Sequence, residues 1–210
     1  MNDIKQKAAN LINQVKESVP LVHHITNYIT ANDCANITLA IGGSPVMADA
    51  PEEAADITGI SSSLVINIGS LNERTISSMM VAGKTANQAG IPVVFDPVGV
   101  GASQLRNESS SQIVDGIKID VLRGNVSEIR YLSGKKSQTK GVDASEHDML
   151  SSAESVTIAK LLAAQLECVV AITGAVDIIS DGERTAYKNI KGETKENLYC
   201  ITQGVGKLIL

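Results

Sequence analysis

Polar residues follow several apolar segments of the chain, at points where a β-strand would end. VVFDPVGVGAS reaches Asp96, a proline, Gly99 and Gly101, and VLRGNVSEIR runs from Arg123 to Glu128. A carboxylate followed by glycines can bind a hard cation, directly or through water, while the loop backbone approaches phosphate. Mg²⁺ needs only one or two protein carboxylates because it keeps waters and takes phosphate oxygens. Asp96 and Glu128 are therefore candidate magnesium ligands.

Arg123 suits the same site, since its planar guanidinium can meet a phosphate with two donors. AITGAVD and LVINIGSLN likewise end in the polar residues Thr173 and Asn67. Each residue also has a structural interpretation: Asp96 as the cap of a turn, Glu128 as a solvated charge at a helix start, and Arg123 as a side chain that extends its charge to solvent. Several polar strand ends in one sheet favour the functional interpretation, because ligands of open α/β sheets bind at the carboxyl ends of strands.

The segment Pro20–Ala54 is mildly apolar, carries several amide side chains and closes in GGSPVM. Asn27 and Met47 suit a pocket for a small, partly polar, sulfur-containing ring. The same residues could equally be a turn or cap residue and a core filler. His23 and His24 lack a third ligand at a metal-like spacing, which favours a structural role.

These residues need a parallel sheet to bring them together. Apolar runs rich in β-branched residues predict five strands, several of them apolar on both faces, at Ser63–Gly69, Ile91–Pro97, Ile119–Asn125, Cys168–Gly174 and Ala175–Gly182. Helices are predicted over Asn72–Gly90, which ends in a glycine, and Ser151–Glu167, which begins with a capping box at Ser151 and Glu154. The polar stretch Leu132–Leu150 is predicted to be a surface loop, or a short helix followed by a turn. The alternation predicts an α/β fold with a central, mostly parallel sheet flanked by helices.

The 210 residues suit one domain, 1–210, with one hydrophobic core. The net charge of −5 and an aromatic content of 2% argue against nucleic-acid binding. The amphipathic N-terminus does not resemble a signal peptide, and no apolar run reaches the roughly 18–20 residues that span a bilayer. Cys34, Cys168 and Cys200 are too few for a disulfide framework, and Cys34 and Cys168 are expected to be buried. A cytoplasmic protein is expected.

Several strings of the chain occur in the order and spacing of a known family. Over about residues 18–202 they read PLVHHITN, GGSPVMADAPEEA, LVINIGSL, AGKTANQAGIPVVFDPVGVGAS, RGNVSEI, KGVDA and AITGAVD. The chain thereby resembles the hydroxyethylthiazole kinases of the ribokinase-like superfamily. SPVMA, and DPVGVGA together with RGNVSE, are more discriminating than a lone glycine motif.

The resemblance implies a ribokinase-like fold and a kinase of thiamine salvage. Such an enzyme phosphorylates the hydroxyl of 4-methyl-5-(2-hydroxyethyl)thiazole with ATP and Mg²⁺. It also implies a homotrimer with active sites between subunits. The implied site residues are Met47, Asn27 and Gly204 for the substrate, Arg123 and Thr173 for ATP, and Asp96 and Glu128 near the metal and phosphates.

The chain departs from the family at its glycine-rich turn. Family members carry Thr-Gly-x-Gly-Cys, whose backbone N–H groups form an anion hole for the transferred phosphoryl group and whose cysteine stands where related kinases place a base. This chain reads ITQGVGKLIL from Ile201. Without a gap, Gln203 replaces the first glycine and Gly206 the cysteine. With Gln203 as an insertion, Gly204 and Gly206 restore the anion hole and Lys207 takes the cysteine position.

At neutral pH lysine is a poor proton acceptor, so impaired turnover is expected. The catalytic base thus stays unassigned. A C-terminally truncated or frameshifted product, missing its C-terminal helices, is the expectation. Two functions stay open: an active thiazole kinase, or an inactive or binding-only remnant of one. A hydroxymethylpyrimidine-type or sugar kinase fits SPVM poorly, and a non-enzymatic scaffold is the remaining alternative.

Overall fold

The computed structural model describes residues 2–134 and 152–189. Within those residues seven helices alternate with eight strands. The helices are α1 Asn2–Ser18, α2 Tyr28–Ile41, α3 Pro51–Gly59, α4 Glu73–Ala89, α5 Gln104–Gly116, α6 Val126–Leu132 and α7 Ser152–Leu166. The strands are β1 Leu21–Ile25, β2 Ser44–Met47, β3 Ser63–Asn67, β4 Val93–Asp96, β5 Val121–Asn125, β6 Val169–Thr173, β7 Val176–Ser180 and β8 Thr185–Asn189.

All eight strands lie in one sheet, in the order β2-β1-β3-β4-β5-β6-β7-β8. The pairs from β2 to β6 are parallel, and β7 and β8 are antiparallel additions. The predicted mostly parallel sheet is confirmed. One consequence is that the carboxyl ends of β1 to β6 meet at a single edge, together with the β6–β7 turn. The β7–β8 turn lies at the opposite edge.

The strands in the middle of the sheet are buried on both faces, as their continuous apolar pattern predicts. Leu64, Val65 and Ile66 of β3 are all buried, and Phe95 of β4 is fully enclosed. Helices supply the two covering layers. The apolar stripes of α4 and α7 complete the main core with Met79, Ala82, Ala86, Ile158, Leu162 and Ala163.

The glycine predicted to end α4 is confirmed, and the structure adds a cap at the start of the helix. Asn72 precedes the helix, its side chain accepts a hydrogen bond from the Thr75 N–H at 3.0 Å, and its own N–H donates to Thr75 Oγ1 at 3.1 Å. Gly90 ends the helix with a positive φ of 69°. The capping box predicted for α7 includes Ser151, which lies outside the described residues, as does most of the predicted loop Leu132–Leu150.

The two ends of the sheet are less apparent in the sequence. β2 is a four-residue edge strand with a proline and partial burial, β1 carries two histidines, and β8 is another edge strand. Because of these features, the three strands lack the clear apolar pattern by which a strand is predicted from sequence. Cys34 and Cys168 are buried free thiols, as expected. No helix in the described part is long and apolar enough to cross a membrane.

Candidate active site

Asp96 is the last residue of β4 and pairs in register with Asn67, the last residue of β3. Its carboxylate is fully buried, and two donors approach the same oxygen. Asn67 Nδ2 donates to Oδ2 at 2.8 Å, and Arg123 Nη1 lies 3.4 Å from it. A buried carboxylate is tolerated when a cation and hydrogen bonds compensate its lost hydration. Asp96 therefore places a buried carboxylate at the strand-end edge, with Asn67 and Arg123 as its partners.

Glu128 lies in the first turn of α6 and connects two loops. Its Oε2 accepts the N–H of Asn125 at 2.7 Å, Asn125 Oδ1 accepts the N–H of Glu128 at 2.9 Å, and the two form a capping box. Its Oε1 accepts the N–H of Gly99, from the loop after β4, at 2.8 Å. The side chain is 4% exposed, so the interpretation as a solvated charge is wrong.

The same environment makes the Glu128 carboxyl group a weaker acid than an ordinary glutamate. Burial raises the pKa of Glu128 to about 7, and the nearby negative charge of Asp96 adds to the rise. The hydrogen bonds from Gly99 and Asn125 and the positive charge of Arg123 act in the opposite direction. Glu128 can thus change its protonation state near neutral pH, which is typical of functional sites.

Arg123 is 7% exposed, so the interpretation in which it extends to solvent is also wrong. It lies within β5, two residues before the carboxyl end of the strand, and Thr173 ends the adjacent strand β6. Asn125 and Thr173 are in register, and Thr173 Oγ1 donates to the carbonyl of Gly124 at 3.3 Å. The two residues predicted to bind ATP thus lie on neighbouring strands, and Arg123 also contacts Asp96.

The predicted substrate residues lie at the same edge but nearer the end of the sheet. Asn27 follows β1 and caps α2, accepting the N–H of Thr30 at 3.0 Å. Met47 ends β2, and its side chain is 40% exposed, which leaves it accessible to a ligand. Three strand spacings separate β2 from β4, or about 14 Å. Met47 and Asp96 are therefore far enough apart to contact different parts of the ligands.

Gly69 lies between Asn27, a predicted substrate residue, and Asn67, which binds Asp96. A Cβ on Gly69 would lie 2.6 Å from Asn27 Nδ2 and 2.8 Å from Asn67 Oδ1. Its N–H donates to Asn67 Oδ1 at 2.7 Å. Because no side chain fits at this position, the amides of Asn27 and Asn67 approach the same backbone turn. Asn67 in turn binds Asp96, so a short chain of contacts joins the substrate side to the acidic side.

The loop after β4 is tightly wound. Val98 N–H donates to the Asp96 carbonyl at 2.9 Å, and Val100 N–H to the Pro97 carbonyl at 3.0 Å. Gly99 and Gly101 have φ of 71° and 91°, a region that favours glycine. The predicted role of these glycines, close backbone approach beside a carboxylate, is compatible with this geometry.

Asp96 and Glu128 fit a magnesium ion. Both are buried oxygen donors whose charges interact, and each oxygen of Glu128 is engaged by only one backbone N–H. Among the residues that the structure describes, no three His, Cys, Asp or Glu side chains cluster into a complete metal cage. Beside a nucleotide, Mg²⁺ commonly uses one or two protein carboxylates and takes its other ligands from phosphate oxygens and waters.

The histidines have structural roles, as expected. His23 is buried in β1, where Nε2 donates to the Ala48 carbonyl at 2.8 Å and Nδ1 lies 2.9 Å from the Thr58 hydroxyl. Desolvation lowers the pKa of His23, which favours the neutral ring.

The residues of the divergent turn, Gln203, Gly204, Gly206 and Lys207, lie outside the described residues, so the anion hole stays a prediction.

Arg106 is a site-adjacent residue that the sequence reasoning does not identify. It lies in the first turn of α5, and its guanidinium donates to the carbonyls of Ile68, Gly69 and Val98. The feature of the sequence that could identify Arg106 is its positive charge in the first turn of a helix. A positive charge at the N-terminal end of a helix opposes the helix dipole, so such a residue needs a tertiary partner.

The chain is similar to proteins of one family along most of its length. The model of the hydroxyethylthiazole kinase family matches residues 12–203. A hydroxyethylthiazole kinase of Ruminiclostridium cellulolyticum is 62% identical over 183 residues, which are 87% of this chain and 67% of the relative. The solved structure of a hydroxyethylthiazole kinase from Pyrococcus horikoshii OT3 matches with a TM-score of 0.76 and 39% identity, over 86% of this chain and 65% of that one.

A more distant structure supports the fold alone. The pyridoxal kinase of Staphylococcus aureus is 16% identical, with a TM-score of 0.57 over 80% of this chain and 71% of that one. Together with the match to the Pyrococcus horikoshii structure, it confirms the predicted ribokinase-like fold. The chain spans about two thirds of the length of the two hydroxyethylthiazole kinases that it matches. On the match of the family model and the high identity to a curated relative, this chain belongs to the hydroxyethylthiazole kinase family.

Proposed function

We propose that this protein transfers a phosphoryl group from ATP, with Mg²⁺, to the hydroxyl of 4-methyl-5-(2-hydroxyethyl)thiazole, in thiamine salvage. The observation that carries the proposal is the convergence of Asp96, Arg123 and Glu128 at one buried strand-end cluster in a chain of this family. Phosphoryl transfer depends mostly on positioning and charge stabilisation, and such a cluster suits both.

Each part of the site has a distinct task in this proposal. Arg123 and Thr173 bind the nucleotide phosphates, while Asn27 and Met47 orient the thiazole so that its hydroxyethyl group reaches toward the centre of the sheet. Asp96 and Glu128 would hold Mg²⁺, which neutralises phosphate charge when bound. The buried position of Arg123 excludes water, and this strengthens its attraction for a phosphate.

The hydroxyl proton needs an acceptor, and the family cysteine is not present at the divergent turn. Phosphoryl transfer proceeds through a loose transition state, so the loss of a base lowers the rate without removing the positioning effect. We therefore propose weak turnover. The second candidate function, thiazole binding without turnover, is favoured by the same residues, Gln203 to Lys207, since neither alignment of that turn supplies a cysteine.

One assay separates the two candidates. ADP release is measured with ATP and Mg²⁺, with and without the thiazole alcohol, and calorimetry measures binding of the alcohol. Release that depends on the alcohol supports the kinase. Binding without release selects the binding-only protein. The absence of both would contradict the thiazole assignment. Hydroxymethylpyrimidine is the matched control substrate, and preferential turnover of it would point to a different kinase of the superfamily.

We also propose a homotrimer in the cytoplasm. The end of the sheet nearest the substrate residues is apolar and exposed, since Tyr28 and Ile29 at the start of α2 are 75% and 86% exposed. A neighbouring subunit that covers these residues would also enclose Met47. Light scattering should give three times the 22.1 kDa of one chain, and Ile29→Asp should give monomers. A monomeric wild-type protein would contradict the proposal. The cytoplasmic location is supported by the free thiols Cys34 and Cys168.

A further inference from the structure

Arg106 binds two loops of the candidate site through their backbones. Nη2 donates to the Gly69 carbonyl at 2.6 Å, and Nη1 donates to the Ile68 carbonyl at 2.9 Å and to the Val98 carbonyl. Ile68 and Gly69 lie between β3 and α4, whereas Val98 lies between β4 and α5. A single guanidinium thus spans the two loops that follow neighbouring parallel strands.

The local sequence does not favour an arginine at this position. Arg106 is in the first turn of α5, where a cation opposes the partial positive charge of the helix N-terminus. Within residues 2–134 and 152–189, no carboxylate lies within ion-pair distance of its guanidinium. Its contacts with the described chain are therefore those of a donor to carbonyls rather than of a partner in an ion pair.

Each loop held by Arg106 also holds a residue of the candidate site. In the first loop, the Gly69 N–H binds Asn67 Oδ1, and the other end of that amide binds Asp96. The same glycine packs against the amide of Asn27, a predicted substrate residue. In the second loop, the Gly99 N–H binds Glu128 Oε1 at 2.8 Å. The distance between the substrate side and the acidic side therefore depends on the distance between the two loops.

The guanidinium group suits this task better than an ammonium group. Its donors are fixed in one plane, so one side chain can reach carbonyls in different directions. Arg106 also packs against Gly99, where an added Cβ would lie 3.1 Å from Nη1. Lysine would retain the charge but present its donors from a single nitrogen on a flexible stem. Replacing Arg106 by lysine therefore tests the geometry of its hydrogen bonds while the positive charge is retained.

We propose that Arg106 is a positioning residue of the phosphoryl-transfer site, which holds loops 68–72 and 97–103 at a fixed separation. The acceptor hydroxyl, oriented from the side of Asn27, then meets the phosphoryl group beside Asp96 and Glu128. The catalytic part of this inference rests on the proposed function. Misplacement by about 1 Å in such a site can cost about a hundredfold in rate.

The test uses Arg106→Lys and Arg106→Gln in the full chain, with Arg184→Lys as the matched control. Arg184 is exposed, pairs with Asp181, and lies in the β7–β8 turn at the opposite edge of the sheet. Amide hydrogen exchange is measured in loops 68–72 and 97–103 and, for comparison, in β3 and β4. Steady-state kinetics give kcat and KM for each substrate.

Both Arg106 variants should exchange about tenfold faster in the two loops and keep wild-type protection in the strands. Their kcat should fall about tenfold or more, with KM for ATP nearly unchanged, because the defect lies in alignment of the acceptor. Arg184→Lys should match the wild type in every measurement.

Two hydrogen-exchange results would overturn the role of Arg106: wild-type exchange in both loops, or a loss of protection spread equally over the whole sheet, which would indicate a merely structural residue. An unchanged kcat in an active enzyme would also overturn it. If the wild-type chain does not turn over the thiazole alcohol, the proposed function fails. In that case the exchange of the two loops still decides whether Arg106 holds them together.

Discussion

At the scale of single residues, the site is a balance between buried charges of opposite sign. Asp96 and Arg123 share a hydrogen bond of 3.4 Å in an almost fully buried position, and Glu128 lies close enough for its pKa to respond to both. Burying charges is costly unless they compensate each other, so removing one of them leaves the others buried without compensation.

Asp96→Asn should abolish magnesium-dependent turnover and also destabilise the fold. The amide preserves the shape but removes the charge that binds a cation, and it leaves the Arg123 guanidinium buried without its carboxylate. Breaking a buried pair in this way costs about 3–5 kcal/mol. ADP release over a magnesium titration and urea unfolding would measure both effects. Asp115→Asn, on the exposed face of α5, is the control. Unchanged magnesium dependence in Asp96→Asn would contradict the role of Asp96.

Glu128 should make the stability of the metal-free chain depend on pH. Its pKa is about 7 when folded, against an ordinary value of 4.5, so the folded state binds more protons within this window. Stability is therefore greatest below about pH 4.5 with respect to this group and falls as pH rises through about 7, by about 3 kcal/mol in total. Glu128→Gln should remove this loss. Urea unfolding at several pH values would measure it, and parallel pH profiles for the two proteins would refute the prediction.

Sequence patterns predict Asp96, Arg123 and Glu128 because each follows an apolar run, and parallel strands bring such positions to one edge. They do not predict Arg106. Its partners are backbone carbonyls, which any sequence could supply, and they lie 37 and 38 positions away for Gly69 and Ile68. A side chain that binds backbone rather than other side chains leaves no pattern of paired residue types.

At the scale of elements, two asparagines begin helices in the same way, but only Asn27 is a predicted substrate residue. Asn27 caps α2 after β1, and Asn72 caps α4 after β3, each by accepting an N–H at 3.0 Å. Replacing either by alanine should cost about 1 kcal/mol, the usual value of such a cap. Only Asn27→Ala should also raise KM for the thiazole alcohol. Thermal unfolding and kinetics of both variants would check this, and equal effects on KM would exclude a substrate role for Asn27.

Two glycines form another matched pair. Gly90 ends α4 with φ of 69° and open space around it, whereas Gly99 has φ of 71° and lies against Arg106. Alanine at either position should cost about 1–2 kcal/mol, because both occupy the left-handed region. Gly99→Ala should in addition lower kcat, since the new methyl group displaces Arg106. Denaturation and steady-state assays would separate the two effects, and wild-type kcat in Gly99→Ala would contradict the expectation.

The elements that the sequence predicts are those whose apolar pattern matches their burial in the fold. β3, β4 and β6 are apolar because both of their faces are covered, and α4 has an asparagine and a glycine at its ends. β1, β2 and β8 are not predicted. His23 and His24 occupy core positions of β1 because Ala48, Thr58 and Thr38 accept or share their hydrogen bonds, and these partners are distant in sequence.

At the scale of the whole molecule, the site is built from one edge of one sheet, with contributions from β1 to β6. Its residues span positions 27 to 173, yet most of them lie at or near the carboxyl end of a strand. The family and its fold can therefore be inferred from short strings at strand ends. The separation between those strings, and the contacts that maintain it, become apparent only in three dimensions.

The strand order also has a consequence for synthesis on the ribosome. From β4 to β8, each new strand adds beside its immediate predecessor, so the sheet can grow at one side as the chain emerges. Among the strands that the structure describes, β1 differs in that both of its neighbours, β2 and β3, follow it in the sequence. The pair between Asp96 and Arg123 forms when β5 docks onto β4. The charge pair of the site can therefore assemble before β6 has left the ribosome.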